Sequence, residues 1–236
     1  MPQKTAFYFS CEHAGNNVPR AYRNLFAGKT KLLSTHRGID IGIWPVAKAV
    51  SKQLAYPVTA HHTTRLLVEV NRSPRHPLLF SEVTKALPRN IKEAILRDYY
   101  YPHRVNVEND IASAIAKNTR IIHIGFHSFT PALNGQKRLV DIGLLYDPRR
   151  PGEKMFCRKL RSILQTKHVN LRIRMNQPYR GVADGLTTYL RKRWSDIHYA
   201  GIEIEVNQRL LATAKSRTDL ANLLTKTLKR MVKEIK

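Results

Sequence analysis

Cysteine is almost absent: Cys11 and Cys157 are the only two in 236 residues. Two thiols cannot build the disulfide framework of a small secreted domain, so a reducing cytoplasm is the expected setting. Long apolar runs are missing as well. Nothing approaches the ~20 residues needed to cross a bilayer, so no membrane partner is expected. The opening stretch MPQKTAFYFSCEHAG is apolar for only a few residues before Glu12 and does not read as a signal peptide. Glycine (11) and proline (12) are sparse, and there is no internal repeat or low-complexity segment, which excludes collagen-like and mucin-like chains.

Acidic residues are also few. Asp plus Glu is 17 against 41 Lys plus Arg, a formal net charge of +24. Such a surface attracts anions, whether nucleic acid, acidic lipid or acidic small molecules, and it says nothing about fold. The basic residues are dispersed and carry no RRM, KH, helix-turn-helix or zinc-finger signature, so no specific nucleic acid is expected, only salt-dependent polyanion binding. What is present is ordinary for a soluble globular protein: 42% hydrophobic and 25% charged residues. The length suffices for a full core without metal or disulfide staples, and one domain over residues 1–236 is the expected organisation.

Segments rich in β-branched and aromatic residues alternate with helical patterns, which predicts an α/β fold with a mostly parallel sheet. Strands are expected at Thr5 to Cys11, Val58 to Ala60, Leu66 to Val70, Ile121 to Phe126, Leu139 to Tyr146, Leu171 to Met175 and Ile202 to Val206. Ile121 to Phe126 is the most apolar and reads as central. Helices are expected at Ile43 to Leu54, over a long stretch from Ile91 to Ala116 interrupted at Pro102, at Lys154 to Gln165, at Leu186 to Trp194 and within the C-terminal segment from Arg209. In that last segment Leu220, Leu223, Leu224, Leu228, Met231 and Ile235 form one stripe with lysines opposite.

In an open parallel sheet, ligands bind outside the carboxyl ends of the strands. Those ends carry Glu12 and His13, then His61 and His62, then Asn71 and Arg72, then His127 and Ser128. In GIEIEV, Ile202, Ile204 and Val206 share one face and Glu203 and Glu205 the other. A carboxylate in a central strand is expensive to bury unless it meets a cation, whereas on an edge strand it would face water, a reading plausible for Glu203. His61 and His62 could be solvent-facing. A zinc hydrolase needs three protein ligands with an open position, a carboxylate to accept the proton of the attacking water, and arginines for the oxyanion and for a substrate carboxylate. His13, Asp40, His127, Glu205, Arg65 and Arg72 can fill those parts, although neither HExxH nor CxxC occurs.

The strings SCEHAGNNVP, HRGIDIG, TRLLVEVNRSP, GFHSFTP, DIGLLYDP, NQPYRGVADG and GIEIEVNQ occur in the order typical of the N-formylglutamate amidohydrolase family. The resemblance runs from about Phe7 to Leu211. It implies a three-layer α/β/α domain with a mixed, mostly parallel sheet, similar to zinc carboxypeptidases and to the aspartoacylase and succinylglutamate desuccinylase group. It also implies a zinc-dependent amidohydrolase that cleaves N-formylglutamate, a small anionic N-acyl amino acid, to formate and glutamate in histidine breakdown. The matching positions imply one zinc on His13, Asp40 and His127. They make Glu205 the base, Arg65 the oxyanion donor, Asn71 and Arg72 the carboxylate clamp, Ser128 a further substrate contact and Tyr179 a residue that closes over the substrate. One departure from the carboxypeptidase pattern stands out. An acidic ligand is expected three residues after the first histidine, but Asn16 stands there, and HRGID offers Asp40 instead, with Glu12 in reserve. Another N-acyl amino acid or a small acidic peptide as substrate is an open alternative.

Overall fold

The structure is a computed structural model and describes residues 3–167 and 169–235. Its centre is a mixed, mostly parallel six-stranded sheet flanked by helices, in the order β2-β1-β3-β8-β6-β7. The strands are β1 (Lys4–Cys11), β2 (Val58–Ala60), β3 (Thr119–Phe129), β6 (Ile142–Leu145), β7 (Ile173–Met175) and β8 (Tyr199–Asn207). Only β6 runs antiparallel to its neighbour β8; every other pairing in this sheet is parallel. A separate two-stranded hairpin, β4 (Ala132–Leu133) with β5 (Gln136–Lys137), follows β3. The helices are α1 (Thr30–Leu33), α2 (Ile43–Leu54), α3 (Arg89–Ile95), α4 (Tyr101–Ala116), α5 (Pro151–Lys167), α6 (Leu186–Arg191) and α7 (Ala214–Ile235).

The alternation of side chains along the strands sorts the sheet into two chemically different faces. Phe7, Phe9 and Cys11 of β1, Ile122, Ile124 and Phe126 of β3, and Ile202, Ile204 and Val206 of β8 point to one face. There they pack on α2, α5 and α7 in the main core, where the stripe Leu220, Leu224, Leu228 and Met231 is buried. The other face is apolar only at its amino end, where Tyr8, Ile121 and Tyr199 meet Val107 and Ile111 of α4 and Leu186 and Leu190 of α6. Toward the carboxyl ends the same face carries Glu12, His127, Glu203 and Glu205. A slip of one residue in β8 would send both glutamates into the apolar core, so the hydrophobic pattern also fixes the site.

Some expectations need correction. Leu66 to Val70 is not a strand; it runs through turns and buries Leu66, Leu67, Val68 and Val70 in a satellite cluster with Phe26, Leu79, Ile95 and Tyr100. Its apolar side chains serve loop packing, which a short apolar run cannot reveal. The helical stretch around Pro102 is not broken: a π-helical turn at Leu96–Tyr100 joins α3 to α4, and Pro102 lies in the first turn of α4, where a missing N–H does no harm. The strand expected over Leu139 to Tyr146 is shorter, and β8 is longer than Ile202 to Val206. Because β8 lies between β3 and β6, Glu203 does not sit on a wet edge strand. His61 is buried against His103, with ring centroids 5.3 Å apart, whereas His62 is exposed.

Candidate active site

Three strand ends and one loop converge at the carboxyl edge of the sheet. β1 hands the chain to Glu12 and His13. β3 carries His127 and Ser128 near its end, and the β3–β8 register sets His127 beside Glu205. Asp40 lies in the loop just before α2, and its N–H donates to the carbonyl of His13 at 3.2 Å. Asn16, which stands where a carboxypeptidase-like acid was expected, donates its side-chain amide to the Leu33 carbonyl and takes no part.

Asp40 is the hub. Its Oδ2 lies 3.2 Å from His13 Nδ1 and 3.1 Å from His127 Nδ1, and it accepts the Ser128 N–H at 3.2 Å. Its Oδ1 accepts from Arg65 Nη1, also at 3.2 Å. All three side chains of the His13–Asp40–His127 group are buried, and one ligand atom from each lies within 4.8 Å of the others, so the group could hold a metal ion. The opposite nitrogen of each imidazole meets a carboxylate. His13 Nε2 is 2.6 Å from Glu69 Oε1, and His127 Nε2 is 3.0 Å from Glu12 Oε2. Glu69 is itself pinned by Arg65 Nε at 2.7 Å and by the Asn71 N–H at 3.0 Å.

The electrostatics fit a place built for positive charge. Burial alone would raise Asp40, but the neighbouring His13, His127 and Arg65 hold it far below the usual carboxylate range. Burial and Arg65 would lower His13, yet Glu69 and Asp40 keep it above its ordinary value. His127, likewise buried, is held well above its ordinary value by Asp40 and Glu12. Three carboxylates thus favour positive charge on the two buried imidazoles. Two nitrogens and one carboxylate oxygen around a common point form a donor set that suits zinc, which competes with those ring protons. The residues present therefore fit a divalent cation.

Glu205 differs from these acids. Burial, opposed by His127 and reinforced by Asp40 and Glu203, lifts its pKa from 4.5 to about 8. Its Oε2 has no hydrogen-bond partner among the described residues. A carboxyl group poised near neutrality with a free oxygen facing a cavity is suited to moving a proton.

The cavity measures about 390 Å³ and is lined by His13, Asp40, His127 and Glu205 on one side and by Arg65, Arg72 and Arg180 among others. The nine residues given metal, catalytic or substrate roles line it, His13, Asp40, Arg65, Asn71, Arg72, His127, Ser128, Tyr179 and Glu205, whereas Glu12, the reserve ligand, does not. Their free valences are unequal. Asn71 uses its carbonyl to accept the Leu186 N–H at 2.7 Å, which leaves its amide N–H groups for a ligand. Arg72 donates to the Asp184 carbonyl at 2.5 Å through one of its two terminal nitrogens. The Ser128 hydroxyl is turned to the Ile41 carbonyl at 3.0 Å, so its backbone N–H, which holds Asp40, is its main contribution. Tyr179 stands half-exposed at the mouth, where its hydroxyl accepts from Arg138 at 2.9 Å. Gly143, paired with Glu205 across β6–β8, lets the Gln177 carbonyl pass close by; a methyl group there would collide with it.

The sequence reading missed Glu69, Arg180, Asp184 and the outer role of Glu12. Glu69 lies two residues before Asn71, within the string TRLLVEVNRSP, and an acid at that place could have been paired with a histidine. Nothing in the local sequence marks Arg180 or Asp184 beyond their place in the polar loop NQPYRGVADG.

Residues 5–212 match the family model described as N-formylglutamate amidohydrolase. Among solved structures, a gene product from Agrobacterium tumefaciens superposes with a TM-score of 0.79 at 25% identity, covering 97% of this chain and 92% of that one. An N-formylglutamate amidohydrolase from Ralstonia eutropha JMP134 superposes with a TM-score of 0.72 at 14% identity, covering 99% and 94%, and shares the fold. No curated protein sequence matches the chain significantly.

Proposed function

This chain belongs to the N-formylglutamate amidohydrolase family, and from that premise we propose that it is a zinc-dependent hydrolase of the N-acyl bond of an acidic amino acid, with N-formylglutamate and water giving formate and glutamate. The observation that carries the reading is the His13–Asp40–His127 group on the floor of a cavity whose wall presents Glu205. His13 and His127, each through Nδ1, and Asp40 would hold the zinc. Zinc supplies Lewis acidity, making a water nucleophilic at neutral pH and polarising the scissile carbonyl.

The protein's own groups do the rest. Glu205 accepts the proton of the attacking water and returns it to the leaving amine nitrogen, a two-way role open to the carboxylate form that a bound cation would favour. Arg65, fixed by Asp40 and Glu69, holds a charged guanidinium at the cavity wall, where it donates to the developing oxyanion. The amide of Asn71 and the unengaged part of Arg72 take the α-carboxylate, and Arg180 adds a second positive charge to the wall for a dianionic substrate. Tyr179 covers the mouth from the loop that also carries Arg180.

A second reading keeps the machinery and changes the acyl group. Tyr179, which lines the cavity and is 42% exposed, leaves apolar surface at the mouth, and this would accommodate an acyl chain bulkier than formyl. The test is elemental analysis of the purified protein together with a panel of N-formyl, N-acetyl and N-succinyl amino acids, read by released amine. About one zinc per chain and turnover of N-formylglutamate are expected. A protein that binds no divalent cation and releases no amine from any member of the panel refutes the proposal.

A further inference from the structure

We propose that Glu12 is a positioning residue that holds the outer nitrogen of His127 and thereby presents that ring's Nδ1 to a cation shared with His13 and Asp40. The inference rests on the metal reading above and adds a residue to it. Glu12 is not itself in the cavity lining and is not one of the three converging donors. It points out of β1 on the face opposite the main core, behind His127 as seen from the cavity. Its carboxylate is 2% exposed, with Oε2 3.0 Å from His127 Nε2 and Oε1 3.8 Å from His103 Nε2.

Burial this complete makes a carboxylate costly unless cationic partners surround it. Yet the approach to His127 is oblique: neither Glu12 oxygen and neither ring nitrogen that faces it has an aligned hydrogen bond. Oε2 therefore meets His127 Nε2 at ion-pair distance without the alignment of a hydrogen bond. Its geometric effect is definite. A carboxylate 3.0 Å from Nε2 favours a proton on that nitrogen, so that Nδ1, which here bonds Asp40 Oδ2, can offer its lone pair to a shared cation. Carboxylate partners behind ligand imidazoles fix tautomer and ring orientation and raise ligand basicity, and their loss typically weakens metal affinity about 10–100-fold. Glu69 stands in the same relation to His13, so each imidazole is gripped from behind.

His103 backs Glu12 from α4, and His61 packs on His103 with its own Nε2 also lacking a partner. Those two rings complete the burial of Glu12 on the side away from His127.

The test is zinc affinity of the full chain, measured by competition with a chromogenic chelator, for wild type, E12Q and E12D. Asp40→Asn serves as the control that removes a ligand. E12Q is expected to keep the wild-type far-UV circular dichroism and to bind zinc about 10–100-fold more weakly, with an altered cobalt(II) absorption spectrum. E12D, which keeps the charge but shortens the reach by one methylene, is expected to fall between the two. A structural role alone would lower the melting temperature of the metal-free protein and leave zinc affinity and the cobalt spectrum of the folded protein unchanged. Equal zinc affinity and an identical cobalt spectrum in wild type and E12Q overturn the proposal. If E12Q does not fold, E12D decides, and equal affinity there overturns it. A wild-type protein that takes up neither zinc nor cobalt removes the metal reading and this assignment with it, whereas loss on Asp40→Asn but not on either Glu12 variant removes this assignment alone.

Discussion

Replacing Glu205 by Gln preserves volume and removes one ionisable proton, and the structure ties that change to both stability and turnover. In the metal-free protein, burial and the neighbouring acids Asp40 and Glu203 lift the pKa from 4.5 to about 8 against the pull of His127. Below pH 4.5 the carboxyl is neutral in the folded and the unfolded chain, and the stability associated with its raised pKa is fully present. As pH rises toward 8 the unfolded chain releases the proton and the folded one keeps it, so that stability is progressively lost. The loss is about 1.4 kcal/mol per pH unit, or on the order of 3 kcal/mol at pH 7 relative to a side chain that never ionises. Glu205→Gln should therefore resist urea better than the wild type at pH 7 after chelator treatment, and the advantage should vanish near pH 4.5. The same variant should lose about 10²- to 10⁴-fold in kcat/KM on N-formylglutamate, because the proton carrier is gone. Urea unfolding from pH 4.5 to 8 and initial rates at pH 7 measure both effects. A variant with full activity, or one whose stability relative to wild type does not change with pH, refutes the reasoning.

Other expectations are as specific. His123, held between the Ser10 hydroxyl at 2.7 Å and the Tyr199 hydroxyl at 2.8 Å, has a pKa near 4, chiefly because burial disfavours its charge. The unfolded chain gains a proton there first as pH falls from 6.5 to about 4, so this residue destabilises the fold over that window by up to about 3 kcal/mol. H123N should flatten the fall of unfolding free energy with pH by about one proton, and an unchanged slope removes the assignment. Gly143→Ala places a methyl group against the Gln177 carbonyl and 3.3 Å from Glu205 Cβ. A loss of about 1–3 kcal/mol in thermal or urea unfolding is expected, with depressed turnover. Arg72→Lys loses the planar fork and should raise KM about tenfold or more with little change in kcat, read by steady-state kinetics. Dialysis against a strong chelator should abolish amine release, and added zinc should restore it; full activity after verified metal removal would contradict the metal role.

Much of the architecture could be read from alternation alone. Phe7, Phe9 and Cys11 against Tyr8 and Ser10, and Ile202, Ile204 and Val206 against Glu203 and Glu205, announce strands whose two faces differ, and both β1 and β8 adopt that pattern. Pro45 in the first turn of α2 and the helix bounds Ile43–Leu54 follow local rules. The run Leu66 to Val70 misleads because apolar density without period does not distinguish a strand from a buried loop. The converging residues were legible as types, since histidines and acids at strand ends are chemically conspicuous. Their pairing was not. That Glu12 stands behind His127 and Glu69 behind His13 depends on the turns after β1 and before Asn71, where no periodicity operates. Arg180 was hidden for a related reason: its position in the cavity depends on how the loop after β7 crosses the front of the sheet.

The strand pairing that carries Glu205 is pressed against backbone. Gly143 lies opposite Glu205, the Gln177 carbonyl runs beside it, and Gly181 lies so close to Tyr146 that neither glycine has room for a Cβ. Drift in a gene encoding this chain cannot place a side chain at Gly143 or Gly181 without displacing that backbone. Divergence toward new acyl groups is channelled into lining side chains such as Tyr179, Arg180 and Ala183, while Glu205 keeps its surroundings.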